Sequence, residues 1–381
     1  VKGSIRQRGN TFTALWWAKD PGSGAWRQHS KGGFATEKLA QKHLNIAVGK
    51  VSEGTWSPDK QVTVKELFEI HWLPAQRARG LRASTLSQYE LAATSYIVPA
   101  MGATKVAALT PALVSSLVEK MATAKSANGR PGLSSRTRQV AVSVLKAATK
   151  WAVANGMLSR DPLAGYQRPR LQPSSIVCWS PDQARQFLGY VKGDRLEAVW
   201  ALALLRGLRR GEAAGLRWSE IDLDRGELRV LRARLSVDGR AIESDVKTAS
   251  GRRTVPLDGR LVALLKAHDR AQKTERLRAG DAWQGEGHLI TNELGEPYHP
   301  DALSKRFKLL VKRAGLPETH FHTLRHSCAS LLLADGVNAK VIQELLGHSS
   351  VQITLSLYSH VAPSMGRDAT AALSASLLGD A

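Results

Sequence analysis

His322-Thr323-Leu324-Arg325-His326, Leu346-Gly347-His348-Ser349 and Tyr358-Ser359-His360 follow one another in a single stretch near the end of the chain. On a helix, His322, Arg325 and His326 stand at i, i+3 and i+4, so all three project from one face. A basic cluster of that kind can hold an anion. Ser327 to Ala334 mixes small and apolar residues suited to a buried helix, and Asp335-Gly336 ends it where glycine accepts a left-handed cap. The chain re-enters a helix at Asn338 and leaves it at Gly347. His348 then falls just past a helix end, where its side chain is free to point into a site. Tyr358 sits in a polar setting of Ser356, Ser359 and His360. Singly, each piece has an ordinary reading, since a tyrosine usually packs its ring and wets its hydroxyl. Order and spacing carry more than any one residue.

Together, His-x-Leu-Arg-His-Ser, Leu-Gly-His-Ser and Thr-x-x-x-Tyr-Ser-His resemble the C-terminal signature of the tyrosine recombinases, the family of phage and integrative-element integrases. That family carries two further residues upstream. Leu205-Arg206-Gly207-Leu208-Arg209-Arg210-Gly211-Glu212 matches its Gly-Leu-Arg-x-x-Glu setting and supplies Arg209. Asp245-Val246-Lys247-Thr248, followed by Arg252-Arg253-Thr254-Val255-Pro256-Leu257, matches its β-hairpin lysine and supplies Lys247. The pattern holds in order from residue 205 to residue 360. His348 stands where some members have Trp, and either ring offers an N–H.

The chain has 381 residues, 43% of them hydrophobic, enough for two or three domains with ordinary cores. Lys and Arg number 54 against 33 Asp and Glu, a formal charge of +21. The natural partner is a polyanion, because each phosphate neutralised releases counterions. No apolar run approaches the length needed to span a bilayer and no signal-peptide core opens the chain, so the expectation is a cytoplasmic protein with no membrane partner, which the resemblance would make nucleoid-associated in a bacterial host. Cys178 and Cys328 have no metal or redox spacing and read as reduced packing residues.

The expected fold class is multidomain α+β. Residues 1–60 read as a small β-meander plus helix. Thr11 to Lys19 and Ala25 to Ser30 flank the turn formers Asp20 to Gly24, and Thr36 caps an amphipathic helix. The module resembles an arm-type DNA-binding domain. Trp16-Trp17 reads as its core; Lys2, Arg6, Arg8, Arg27 and Lys31 are candidate phosphate contacts, with a solvated face as the alternative. Residues 61–165 read as four helices, begun at Thr63, Ser84-Thr85, Thr110-Pro111 and Ser134-Ser135, and resemble the family's helical core-binding domain. Residues 166–176 form a linker whose Arg168 and Arg170 are candidate DNA contacts. Residues 177–381 read as a mainly α unit with a small antiparallel sheet, corresponding to the catalytic domain and C-terminal tail. Leu196 to Leu205 is apolar nearly all round, hence a buried helix that would hold Arg209 rigidly. Strands are expected at Leu228 to Leu235 and Arg253 to Pro256. The tail helix, Asp368 to Leu378, would pack on its own subunit or on a neighbour.

The resemblance implies phosphoryl transfer from DNA to the Tyr358 hydroxyl. Arg209 and Arg325 would clamp the phosphate, His322 would take the tyrosine proton, Lys247 would protonate the leaving oxygen and His348 would hydrogen-bond a phosphate oxygen. Glu212 and His326 support them, Glu212 either by pairing with an arginine or by favouring a helix start. Neither metal nor ATP is expected. The implied partners are double-stranded attachment sites and a homotetramer in the synaptic complex; an excisionase and a host DNA-bending protein would be the accessory factors. Two rival readings are a catalytically silent DNA-binding regulator on the same fold and a metal-dependent nuclease using His320, His322 and His326. The second leaves Arg209, Lys247 and Tyr358 without a role.

Overall fold

The computed structural model describes residues 3–19, 25–53, 62–123, 132–168, 177–246 and 251–355. Its contacts divide the chain into two units, Val1–Gln172 and Pro173–Ala381.

In the first unit, β1 (Gly3–Arg8), β2 (Thr11–Lys19) and β3 (Trp26–Phe34) form an antiparallel sheet in that order, followed by α1 (Glu37–Ser52). Thr36 caps α1 by accepting from the Leu39 amide. The strand β1 was not legible as a strand in the sequence. The tryptophan pair also divides. Strand alternation buries Trp16 with Ala14 and Ala18 against Leu44 and Ala47, and leaves Trp17 46% exposed on the other face. Trp16 is the core residue and Trp17 is not.

Two long helices of the bundle each contain a π-helical turn. The first runs through α2 (Val64–Glu66), the wide turn Leu67–Trp72 and α3 (Leu73–Ala78). The second runs through α4 (Ala83–Ala92), the wide turn Ala93–Ile97 and α5 (Val98–Met101). Pro74 and Pro99 explain both, since each lacks an amide proton and its ring crowds the carbonyl four residues back. The turn before each proline widens, and the Leu73 and Val98 amides donate to carbonyls five residues back, on Phe68 and Ala93. Helices α6 (Pro111–Thr123) and α7 (Ser135–Ala154) complete the bundle, with Ser134 capping α7. The second helix begins at Ala83, so Ser84 and Thr85 lie in its first turn; Arg82 holds the cap position without a side-chain bond.

The second unit is built around α9 (Glu197–Leu205), whose residues Ala198 to Leu204 are all buried. Helices α8 (Pro181–Tyr190), α11 (Gly259–Ala279) and α13 (Phe321–Ala334) pack on it, which is why its sequence is apolar on every side. Trp179, Phe187, Trp200, Phe307 and Phe321 form one aromatic cluster, with Phe307 supplied by α12 (Pro300–Arg313). Each such ring contributes about 1.5–3 kcal/mol by burial.

The expected strand Leu228 to Leu235 is two strands in different sheets. After α10 (Arg210–Gly215), β4 (Ile221–Asp222) and β5 (Glu227–Val230) join β8 (Arg253–Pro256), whereas β6 (Arg232–Val237) pairs with β7 (Arg240–Asp245). Leu231 belongs to neither ladder; its carbonyl accepts from the Val246 amide. Burial separates the strands, since β5 alternates cleanly with Leu228 and Val230 inside while β6 is half-buried along most of its length. Asp238 and Gly239, both at positive φ, make the tight turn of the β6–β7 hairpin. Helices α14 (Ala339–Leu346) and α15 (Val351–Leu355) follow α13.

Candidate active site

Gly207 ends the run out of α9 at φ 63°, and a Cβ there would lie 2.1 Å from Leu346 Cδ2. Glycine is therefore required both by the backbone conformation and by the approach of α14. Beyond it, Arg209 stands at the N-cap of α10. Its Nη1 donates to Glu212 Oε1 at 2.6 Å and its Nη2 to the Gly347 carbonyl at 2.8 Å. Arg325, on α13 and 1% exposed, returns the favour by donating from Nη1 to the Gly207 carbonyl at 2.8 Å. Arg325 thus holds the glycine turn that leads to Arg209, and Arg209 holds the one that leads to His348. Arg325 Nη2 is buried without an acceptor among the described residues.

Glu212 is 3% exposed and is the anionic centre of the site. It accepts from the Arg209 amide, which closes a capping box, and from Arg253 Nη1 and Nη2 at 3.1 and 2.9 Å. Both roles read for it from sequence coexist. Burial pushes its carboxyl up, but Arg253 and then Arg209 more than reverse this, leaving its pKa at about 2. Arg253 was missed as a site residue. Its Nε also donates to the Leu345 carbonyl at 2.8 Å, so one guanidinium ties Glu212 to the end of α14. A signal existed in the strand, where Arg253 shares the inward side with Val255 and Leu257. An arginine at such a position needs a buried carboxylate.

His322 and His326 lie one turn apart on α13, ring centroids 4.7 Å apart and edge to face. Burial, then His326 and the two arginines Arg325 and Arg209, lower His322 to about 4; burial and Arg325 lower His326 as well. His348 is 5% exposed and its Nδ1 lies 2.9 Å from Thr354 Oγ1. Burial, Arg325 and Arg209 push it to about 3. Burial followed by repulsion from Arg209 lowers Arg325 to about 9, which leaves it charged at neutral pH. All three imidazoles are therefore neutral while both arginines are cationic. Such an arrangement suits a bound anion, which would offset the repulsion, together with proton transfer to a neutral ring. A cleft of about 570 Å³ between β8 and α14, walled by Arg252, Arg253, Lys340 and Glu344, runs up to His348.

Lys247 and Tyr358 lie outside the described residues, as do Lys2, Arg170 and the tail helix. The residues flanking 247–250 are described, and Arg252 pairs with Asp245 at 3.1 Å. Arg168 donates to Ser143 Oγ at 3.1 Å. On the N-terminal sheet, Arg6 and Arg8 pair with Thr13 and Thr11 and share the face of Trp17 and Lys19, away from α1. Arg27 and Lys31 pair with Ala18 and Ala14, which face α1, so the four basic residues do not form one surface.

Among the described residues, the grouping whose ligand atoms meet metal spacing is Glu243, Glu286 and His288, not the histidines of α13. That grouping already has a cation. Arg217 donates to both carboxylate oxygens of Glu243 at 3.0 Å and lies 3.5 Å from Glu286. No helix among the described residues is long and apolar enough to cross a membrane.

Both the sequence and the fold have relatives among known proteins. The sequence profile of the Phage integrase family matches residues 179–365, and that of an Arm DNA-binding domain matches residues 4–50. A tyrosine recombinase XerC-like protein of Caldanaerobacter subterraneus is 34% identical over 261 residues, 64% of this chain and 66% of its own length. The tyrosine recombinase XerC of Xylella fastidiosa is 30% identical over 62% of this chain and 74% of its own. The structure of the Tn1549 transposon integrase in complex with transposon right end DNA superposes with a TM-score of 0.64 at 22% identity, covering 80% of this chain and 99% of that one. This chain belongs to the phage integrase family, the tyrosine recombinases.

Proposed function

We propose that the chain is a site-specific DNA recombinase, an integrase that breaks and rejoins DNA strands through a 3′-phosphotyrosine on Tyr358. The observation that carries this reading is the pair of guanidiniums held by distant backbone carbonyls, Arg209 by Gly347 and Arg325 by Gly207, with the second guanidinium nitrogen of Arg325 buried and unpaired among the described residues. Two rigid guanidiniums suit a phosphodiester whose non-bridging oxygens gain charge in the transition state. The Tyr358 oxygen bonds to phosphorus as the bond to the 5′-oxygen breaks. His322, neutral before attack, accepts the tyrosine proton, and Lys247 delivers one to the departing 5′-oxygen. A phosphate between the arginines would raise the basicity of His322 by offsetting the charges that lower it. His348 donates to a phosphate oxygen. The 5′-hydroxyl of the partner strand then reverses the step, so the bond energy is conserved without ATP, and the cationic groups do the work a metal does in many nucleases.

On this reading the substrates are double-stranded attachment sites, bound by the arm module as well as the two larger domains. Exchange of four strands calls for a homotetramer, with an excisionase and a host DNA-bending protein as accessory factors, in the cytoplasm of a bacterial host. The test is a nicked suicide duplex carrying the attachment site, incubated in EDTA with wild type and Tyr358→Phe and run on denaturing gels. A covalent adduct in wild type alone, mapped to Tyr358, is the expected result. Adduct in both refutes the nucleophile; a mobility shift without adduct in either identifies a silent binder.

A further inference from the structure

We infer that Thr354 is a positioning residue that sets the tautomer of His348, so that the buried ring presents an Nε2–H donor to a phosphate oxygen. The inference rests on the reading of His348 as a phosphate-binding group.

Thr354 is completely buried, and its Oγ1 lies 2.9 Å from His348 Nδ1. A threonine on a helix commonly donates back to the carbonyl four residues earlier. The Thr354 hydroxyl instead meets the histidine, the one acceptor it has among the described residues. A hydroxyl out of reach of water must place its hydrogen, and an unpaired buried donor is costly. If Nδ1 carried the ring proton, it would donate to Oγ1 and strand the hydroxyl hydrogen. With Nδ1 bare, Thr354 donates to it and both groups are satisfied. The ring proton then sits on Nε2.

The choice matters because this imidazole is neutral. A protonated ring would donate from both nitrogens whatever its partner, but a neutral one has a single hydrogen. Burial beside Arg325 and Arg209 keeps the ring neutral at working pH. In the wrong tautomer, Nε2 would turn a lone pair toward an anionic oxygen. The main chain of the residue is held separately, since the His348 amide donates to the Gln343 carbonyl at 3.0 Å and Gln343 Nε2 donates to the His348 carbonyl at 3.2 Å. Backbone bonds hold the residue, and the Thr354 hydroxyl selects which nitrogen is the donor. Thr354 also lies on α15, four residues before Tyr358 in sequence, so the same bond joins the phosphate-facing ring to the segment leading to the nucleophile.

The test compares wild type, Thr354→Val and Thr354→Ser as full chains. Valine keeps the shape and removes the hydroxyl; serine restores it. Long-range proton–nitrogen spectra of chains labelled with ¹⁵N-histidine, with His348 assigned by its loss in His348→Gln, read the tautomer without any DNA. The expected result is Nε2–H in wild type and Thr354→Ser and a mixture in Thr354→Val. Adduct formation on the suicide duplex under single turnover should fall about tenfold in Thr354→Val and recover in Thr354→Ser, with duplex binding unchanged. Nδ1–H in wild type, or an unaltered tautomer and rate in Thr354→Val, overturns the inference. Absence of adduct from wild type would refute the recombinase reading, while the tautomer spectra would still decide the role of Thr354.

Discussion

Glu212→Gln removes one charge from the centre of the site and almost nothing else. The carboxylate is 3% exposed and Arg253, its principal partner, is 5% exposed at the side chain, so solvent screens neither. The folded pKa is about 2 against an ordinary 4.5. A lowered pKa stabilises the fold above the unfolded value and loses that contribution as pH falls through the folded one. At about 1.4 kcal/mol per unit, the ionised Glu212 contributes about 3 kcal/mol at pH 7, narrowing to about 2 kcal/mol at pH 3.5. Glutamine cannot supply this and leaves Arg253 buried without a counter-charge. The assay is urea unfolding of the full chain read by pulse proteolysis at α13, with thermolysin at pH 7 and pepsin at pH 3.5, so that the transition reported is that of the second unit. The variant should be less stable by about 3 kcal/mol at pH 7, with a smaller gap at pH 3.5. A loss under about 1 kcal/mol at pH 7, or a gap that widens on acidification, would refute the electrostatic role given to Glu212.

Other parts of the molecule yield sharper yes-or-no outcomes. Arg325→Lys keeps the charge but loses the planar fork, and adduct formation should drop about a hundredfold or more, read by single-turnover cleavage; a change below threefold would speak against the clamp. Gly207→Ala places a methyl 2.1 Å from Leu346 Cδ2 at a positive φ, and should lower stability by about 2 kcal/mol or more in the same urea assay. Because His322 sits at about 4, cleavage at subsaturating protein should stay level from pH 8 to about 5 and decline only below; half-loss near pH 6.5 would show an unshifted imidazole. On the N-terminal sheet, Arg6→Ala and Arg8→Ala should each reduce the salt dependence of DNA binding by about one unit of slope, measured by titration across salt concentrations, whereas Lys31→Ala, on the α1 side, should leave it nearly unchanged.

The strongly local features are legible in the sequence alone. Thr36, Thr63, Ser134 and Ser180 each accept an amide bond at a helix start, and Gly336 and Gly347 take the positive φ expected just past the helices they follow. Such features depend on one turn of backbone, so residue type and spacing of a few positions suffice to read them. The i, i+3, i+4 spacing likewise placed His322, Arg325 and His326 on one helix, and the all-apolar stretch before Arg209 marked the buried α9. Where two equally acceptable local patterns competed, the reading failed. Leu228 to Leu235 looks like one strand because each half alternates well enough, and the break at Leu231 follows from β8 and β7 competing for different halves. Trp16 and Trp17 are indistinguishable as residues until α1 covers one face of the sheet.

Residue types and their order by themselves determined the chemistry on offer: two arginines, a lysine, three histidines and a tyrosine in the family's sequence, on a chain charged to bind a polyanion. The tertiary structure alone decided how the described members of that set are held. Arg253 reaches Glu212 from 41 positions away, Arg325 reaches the Gly207 carbonyl from 118, and Arg209 reaches that of Gly347 from 138. Such partners have no signature in spacing, because a guanidinium takes whichever acceptor the packing of α9, α13, α14 and β8 brings within about 3 Å.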